Sequence, residues 1–136
     1  MPEKITILKE NMRKMNQTKP FHEECHMNTR CQHYETCPIT TFHRIISGKW
    51  KILILWYLTM KPLRFSELKR KLPDVTQKML TNQLRSLEED GLVQRKVYPV
   101  VPPKVEYSLS DIGKEMIPLL ESMYRYGIMY SEQMNQ

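Results

Sequence analysis

Cysteine is scarce in this 136-residue chain and unevenly placed: Cys25, Cys31 and Cys37 are the only three, and none follows position 37. An odd count so close to one end cannot provide a disulfide framework for a fold, and it leaves at least one thiol over for metal or redox chemistry. Glycine is nearly as rare, four residues in all, with no glycine-rich loop to cradle a phosphate. Paired carboxylates are missing too. The one conceivable nucleophile and base, Cys37 and His43, lie six positions apart, just under two turns of one helix, so they project at different levels and no enzyme is expected. No apolar run approaches the ~18 residues of a membrane span. The opening MPEKITILKENMRK lacks the apolar core and small-residue cleavage site of a secretory signal, so a cytoplasmic protein with no membrane partner is expected.

Charge of one sign is in excess, and that excess is local. Of the net +6, residues 1 to 37 carry 6 basic and 5 acidic groups, residues 38 to 110 carry 13 and 6, and residues 111 to 136 carry 2 and 4. The middle segment therefore suits a polyanion.

Residues 3 to 16 show a weak helical pattern through Ile5, Leu8, Met12 and Met15, after which periodicity is lost up to residue 36. An N-terminal arm over 1 to 36 is predicted. Proline suits a first helical position, so Cys37-Pro38 opens a helix over 38 to about 47 that Gly48 closes. KWKILILWYL, 49 to 58, is apolar nearly all round after Lys51 and predicts a buried central helix ended by Pro62. SELKRKL, 66 to 72, predicts a short helix capped by Ser66, with Leu68 and Leu72 inward and Pro73 as its stop.

A sharper start follows, with Thr76 as N-cap, Val75 placed to staple onto Leu80, and Gly91 at the far end near Asp90. VQRKVY (93 to 98) and KVEYSL (104 to 109) read as strands around a proline-rich tip, the second alternating Val105, Tyr107 and Leu109 with Lys104, Glu106 and Ser108. A long helix from about 111, capped by Ser110 and kinked at Pro118, carries two apolar stripes. One stripe is Ile112, Met116, Leu119, Met123 and Gly127; the other is Ile117, Leu120, Tyr124 and Ile128. Two stripes exceed what one small domain covers. The order is mainly α with a small β-wing, a winged helix-turn-helix with an apolar face left for a second subunit.

The helix from Thr76 divides cleanly. Leu80, Leu84 and Leu87 face inward, while Lys78, Thr81, Asn82 and Arg85 face outward with Gln77 beside them. Arginine can be bidentate to guanine, asparagine or glutamine to adenine, and lysine or threonine can hold phosphate. Lys69, Arg70 and Lys71 on the preceding helix, and Arg95, Lys96 and Lys104 in the wing, bracket this face with positive charge. A solvated polar face is the plain alternative. A winged-helix module that binds protein instead of DNA is another, distinguished by a lack of salt dependence.

Over about residues 37 to 127 the chain resembles the HxlR-type winged-helix transcriptional regulators, relatives of the MarR-like repressors. Cys37-Pro38, GKWKILIL (48 to 55), RFSELKRKLP (64 to 73), LTNQLRSLEEDGLV (80 to 93) and VYPVVPPKVEYSLSDIG (97 to 113) carry the resemblance. It implies a homodimer, paired through the first and last domain helices, that binds double-stranded operator DNA as a sequence-specific regulator, in the sense of a repressor. The domain then spans 37 to 130, including the dimerisation helix, and 131 to 136 form a tail. The implied recognition residues are Gln77, Lys78, Thr81, Asn82 and Arg85, next to the cap Thr76, with Arg95 and Lys104 as wing contacts and Lys96 beside them. The arm falls outside the match.

Several members of this family use the cysteine of the Cys-Pro pair to sense oxidants or electrophiles, and Cys37 holds that position. There is a local reason as well: at an N-cap its sulfur lies at the positive end of the helix dipole, where a thiolate is favoured. The family's second cysteine, in the winged domain or last helix, has no counterpart here. Other readings of the segment stay open. Cys25-x5-Cys31-x5-Cys37 is similar to the three-cysteine pattern of a [2Fe-2S] cluster in another class of winged-helix repressors, but position 40, where the fourth ligand would stand, is Thr40; His26, His33 and His43 are the substitutes. Zinc on Cys25, His26, Cys31, His33 and Cys37 is the related alternative. An arm without ligand is the third, and no cofactor is assigned.

Overall fold

The computed structural model describes Glu35 and residues 37 to 136, and the chain divides into two compact units, Met1–Ile45 and Ile46–Gln136. The helical pattern over 3 to 16, and Cys25, His26, Cys31 and His33, lie outside the described residues. Helix α1 (Pro38–Ile46), in the first unit except for its last residue, begins as Cys37-Pro38 predicts, because the Cys37 carbonyl accepts the first helical hydrogen bond from the Thr41 N–H at 3.1 Å.

In the second unit, Gly48 at φ +92° precedes α2 (Lys49–Leu58). A side chain would be strained there. Only one side of α2 is buried, through Ile54, Leu55, Leu58 and the stem of Lys51; Ile52, Leu53, Trp56 and Tyr57 are half-buried, so the fully covered helix expected from composition is not found. The chain then forms β1 (Leu63–Arg64), α3 (Phe65–Lys71), α4 (Gln77–Glu89), β2 (Val93–Tyr98), β3 (Lys104–Leu109), α5 (Asp111–Lys114) and α6 (Ile117–Met134). The three strands make one antiparallel sheet in the order β1-β3-β2.

Several expectations are corrected. Leu63 and Arg64, to which the sequence reading assigns no element, form a third strand opposite Tyr107 and Glu106. The α3 cap is Arg64, not Ser66: the Glu67 carboxylate reaches back to the Arg64 N–H at 2.8 Å, and this fixes the turn one residue earlier. That bond, and the nearby cations Lys61, Arg64 and Arg70, hold the Glu67 carboxyl below its ordinary range. The last helix is broken, not kinked. Ser110 caps α5 by accepting the Gly113 N–H at 3.0 Å, the chain turns at Glu115 and Met116, and Pro118 sits in the first turn of α6, where a missing N–H does no harm. Nor does β3 alternate in burial: as the middle strand it is partly covered on both faces and only Leu109 is fully buried.

The core joins Ile54, Leu55 and Leu58 of α2 to Leu63, Leu68, Val75, Leu80, Leu84 and Leu87, and closes with Leu92, Leu109, Met116 and Leu120. Each such side chain removed from water contributes up to about 1.5 to 3 kcal/mol, which is how a face of polar residues on α4 can be left outward.

Candidate nucleic-acid interface

Helix α4 is pinned at both ends. The Thr76 hydroxyl accepts the Met79 N–H at 3.1 Å, and Val75 and Leu80 are both buried at the staple positions. At the other end Leu92 N–H bonds the Leu87 carbonyl at 3.0 Å and Gly91 N–H the Glu88 carbonyl at 2.9 Å, with Gly91 at φ +76°. This paired arrangement needs a left-handed residue. The Ser110 hydroxyl donates to the Gly91 carbonyl, which ties the end of α4 to the start of α5.

With Leu80, Leu84 and Leu87 buried, Gln77, Lys78, Asn82 and Arg85 are exposed together on the opposite side. Thr81 differs: it is half-buried and its hydroxyl donates to the Gln77 carbonyl at 2.9 Å, leaving its methyl group and a lone pair for other contacts. Met79, which sequence reasoning passed over, is 41% exposed beside Lys78 and Asn82. On α3 the three cations have separate roles. Lys69 donates to the Pro73 carbonyl at 3.0 Å and Lys71 lies 5.1 Å from the centre of the Tyr57 ring, while Arg70 is exposed.

In the wing, strand alternation sends Arg95 and Lys96 to opposite faces of the sheet. Arg95 pairs with Tyr107 across the β2–β3 register. Burial raises the Tyr107 phenol above its ordinary range, against the pull of Arg95 and Arg85 and together with the push of Glu88, so this tyrosine sits among side chains of both wing and α4. Lys96 pairs with Glu106 on the other face. There Lys104 Nζ is 2.8 Å from the Glu106 carboxylate, and the Tyr98 hydroxyl donates to the same carboxylate at 3.1 Å. These two bonds hold Glu106 below the usual carboxylate range, the Lys104 bond contributing most. Lys96 and Lys104 lie 4.8 and 4.9 Å from the centre of the Tyr98 ring.

The site residues thus form two groups: Thr76, Gln77, Lys78, Thr81, Asn82 and Arg85 on α4, with Arg95 joined to them through Tyr107; and Lys96 with Lys104, gathered round Glu106 on the opposite sheet face. Glu106, Tyr98 and Tyr107 were not singled out from the sequence. Only the β2–β3 register, laid over the alternation, identifies them.

Beyond the wing, α6 buries Leu120 and stacks Tyr124 on Trp56 of α2 with ring centres 5.0 Å apart, yet leaves Leu119, Met123, Tyr126, Ile128, Met129 and Tyr130 exposed. An open hollow of about 540 Å³ lies along it, lined by Met123, Tyr124, Gly127, Ile128, Ser131, Glu132 and Asn135. Cys37, in the first unit, is half-buried. Among the described residues no His, Cys, Asp and Glu side chains gather as a metal would require, and no helix is long and apolar enough to cross a membrane.

These features have close parallels. The profile of the HxlR-like helix-turn-helix family matches residues 45 to 135. Over 98 residues the chain is 48% identical to the uncharacterised HTH-type transcriptional regulator YkvN of Bacillus subtilis strain 168, covering 72% of this chain and 83% of that protein. Its fold is similar to that of the redox regulator HypR in its reduced form, with a TM-score of 0.70 and 40% identity over 73% of this chain and 98% of that one. The oxidized form of HypR gives a TM-score of 0.66 and 44% identity over 68% and 96%. With the helix-turn-helix, the wing and the family match in agreement, the chain belongs to the HxlR-like helix-turn-helix family and is a winged-helix transcriptional regulator.

Proposed function

We propose that this protein binds operator DNA as a homodimer and represses transcription, with α4 in the major groove. The observation that carries this reading is the exposed face of Gln77, Lys78, Asn82 and Arg85 on a helix pinned at both ends. In it Arg85, Asn82 and Gln77 read base edges, Thr81 and Lys78 hold phosphate or a thymine methyl next to the Thr76 cap, and Arg95 reaches the backbone from the wing. Lys96 and Lys104 supply phosphate contacts without sequence preference. The exposed apolar face of α6, with α1, pairs the subunits; residues 37 to 130 are the working domain, 1 to 36 an arm and 131 to 136 a tail. The test is Arg85→Ala on a duplex selected from a randomised pool. A loss of about 1 to 3 kcal/mol, with relaxed preference at one base pair, is expected; unchanged affinity removes α4 from the groove.

A second element is oxidant sensing by Cys37. Its support is the position of Cys37 at the start of α1, where the helix dipole favours a thiolate, and the likeness to a protein named as a redox regulator.

A further inference from the structure

Glu106 is the only acidic residue between Gly91 and Ser110, and the sheet register sets basic residues beside it on both neighbouring strands. Arg64 stands opposite it on β1, Lys96 opposite it on β2, and Lys104, two residues before it on the same face of β3, forms the ion pair at 2.8 Å. Tyr98 completes the group: its hydroxyl donates to the carboxylate while its ring lies under both lysines. A structural ion pair needs one cation. Here one cation, Lys104, is bonded to the carboxylate, and two more, Arg64 and Lys96, hold the cross-strand positions beside it on the same sheet face.

The geometry points to Glu106 as a specificity-determining residue, an internal counter-charge that occupies Lys104 of the wing and so restrains DNA binding that ignores sequence. This rests on the DNA-binding reading above. A random-sequence duplex is held by phosphate contacts alone, so the protein can shift on it until its cations meet phosphates. An operator fixes the register through α4, and the face bearing Glu106 is opposite the one on which Tyr107 meets Arg85. The carboxylate therefore opposes the random mode more than the specific one. Glu106 also differs in placement from the acids of α4, since Glu88, Glu89 and Asp90 lie at the far end of that helix.

Glu106→Gln tests this, because the amide keeps the size and shape of the side chain and one acceptor oxygen for Lys104, while its NH2 can donate to the Tyr98 hydroxyl oxygen, and the negative charge is removed. Fluorescence anisotropy is read on a random-sequence 30-base-pair duplex and on a duplex selected from a randomised pool, across a salt series. For the random duplex, affinity should rise about two- to fivefold per wing, the value of releasing a cation from an exposed ion pair. The log-log salt slope should steepen by about 0.9 per wing. The selected duplex should gain less, so discrimination falls. In a Lys104→Gln background the gain from Glu106→Gln should shrink, a comparison that holds even if each change alters stability. Unchanged or weaker random binding, or a gain equal on both duplexes, overturns the proposal. Arg85→Ala, run alongside, separates the two readings: its failure to weaken the selected duplex counts against α4, and absence of wild-type binding to either duplex at low salt removes both.

Discussion

Arg95 and Tyr107 stand directly opposite one another across the β2–β3 register, and the Tyr107 phenol also feels Arg85 and Glu88 of α4. One half-buried ring thus joins the wing to the proposed reading helix. Cross-strand pairs of this kind fix where a side chain can be, so the position of Arg95 in the wing follows from Tyr107 as much as from Arg95 itself.

Tyr107→Phe removes the hydrogen bond between the phenol and the Arg95 side chain and should lower stability by about 0.5 to 1.5 kcal/mol, the usual net value of one hydrogen bond, measured by urea unfolding at fixed protein concentration. The phenol also has a pH signature. Burial raises its folded value above the ordinary one, so the stability tied to its neutral form is fully present below about pH 10 and is lost as pH rises through that higher value. A titration of phenolate absorbance should include a late step above the ordinary tyrosine range, and that step should be missing from Tyr107→Phe. A late step that persists in the mutant assigns it elsewhere.

Gly113 and Gly127 should respond to alanine in opposite ways. A Cβ at 113 collides with the backbone carbonyl of Leu92, which is already held by the Ser110 N–H at 3.0 Å and cannot yield cheaply. At 127 nothing lies within 4 Å. Gly113→Ala should therefore cost about 1 to 3 kcal/mol through overpacking. Gly127→Ala, in the middle of α6, should add about 0.5 to 1 kcal/mol to the helix in the monomer. Thermal unfolding of both variants decides this, and equal effects in the same direction would contradict the close approach at Gly113.

Much of this architecture was legible because its signals are local. Thr76, the Leu80, Leu84 and Leu87 stripe and Gly91 identify α4 without any distant partner, and Pro38 does the same for α1. What escaped depends on contacts between segments. Two residues, Leu63 and Arg64, are too few to show alternation, so β1 exists only through its pairing with β3. Pro118 reads equally as a kink inside a helix or as an early residue of a new one; the turn at Met116 carries no side-chain cap to decide it. For the site, charge counting found Lys96 and Lys104 but not that both lie against Tyr98 and round Glu106, because positions 96, 98, 104 and 106 become neighbours only once the hairpin register is set.

The exposed face of α6 predicts its own occupant under the dimer reading. Ile128 is 44% exposed and lines the hollow beside Met123 and Tyr124, so a charge there should be costly only if a second subunit covers it. Ile128→Asp should give a monomer in analytical ultracentrifugation at concentrations where the wild type is dimeric, with the helical content of the monomer kept. A dimer that persists would move the interface away from this part of α6.

Oxidant sensing makes the last claim on the chain. Cys37 opens α1 with its carbonyl bonded to the Thr41 N–H, and the proposed switch rests on a thiolate being favoured at a helix N-terminus. No cysteine follows it, so oxidation must pass to Cys25, to Cys31, to Cys37 of a second subunit, or stop at a modified thiol. Cys37→Ser should leave DNA binding in reductant unchanged and abolish release by hypochlorite or a quinone. Cys25→Ser and Cys31→Ser then divide the routes: loss of release in either one identifies the resolving thiol, whereas full release in both leaves the intersubunit disulfide, which non-reducing electrophoresis would show as a covalent dimer, or simple modification, which mass spectrometry would show as an added mass. An undiminished oxidant response in Cys37→Ser would take the switch away from the start of α1 altogether.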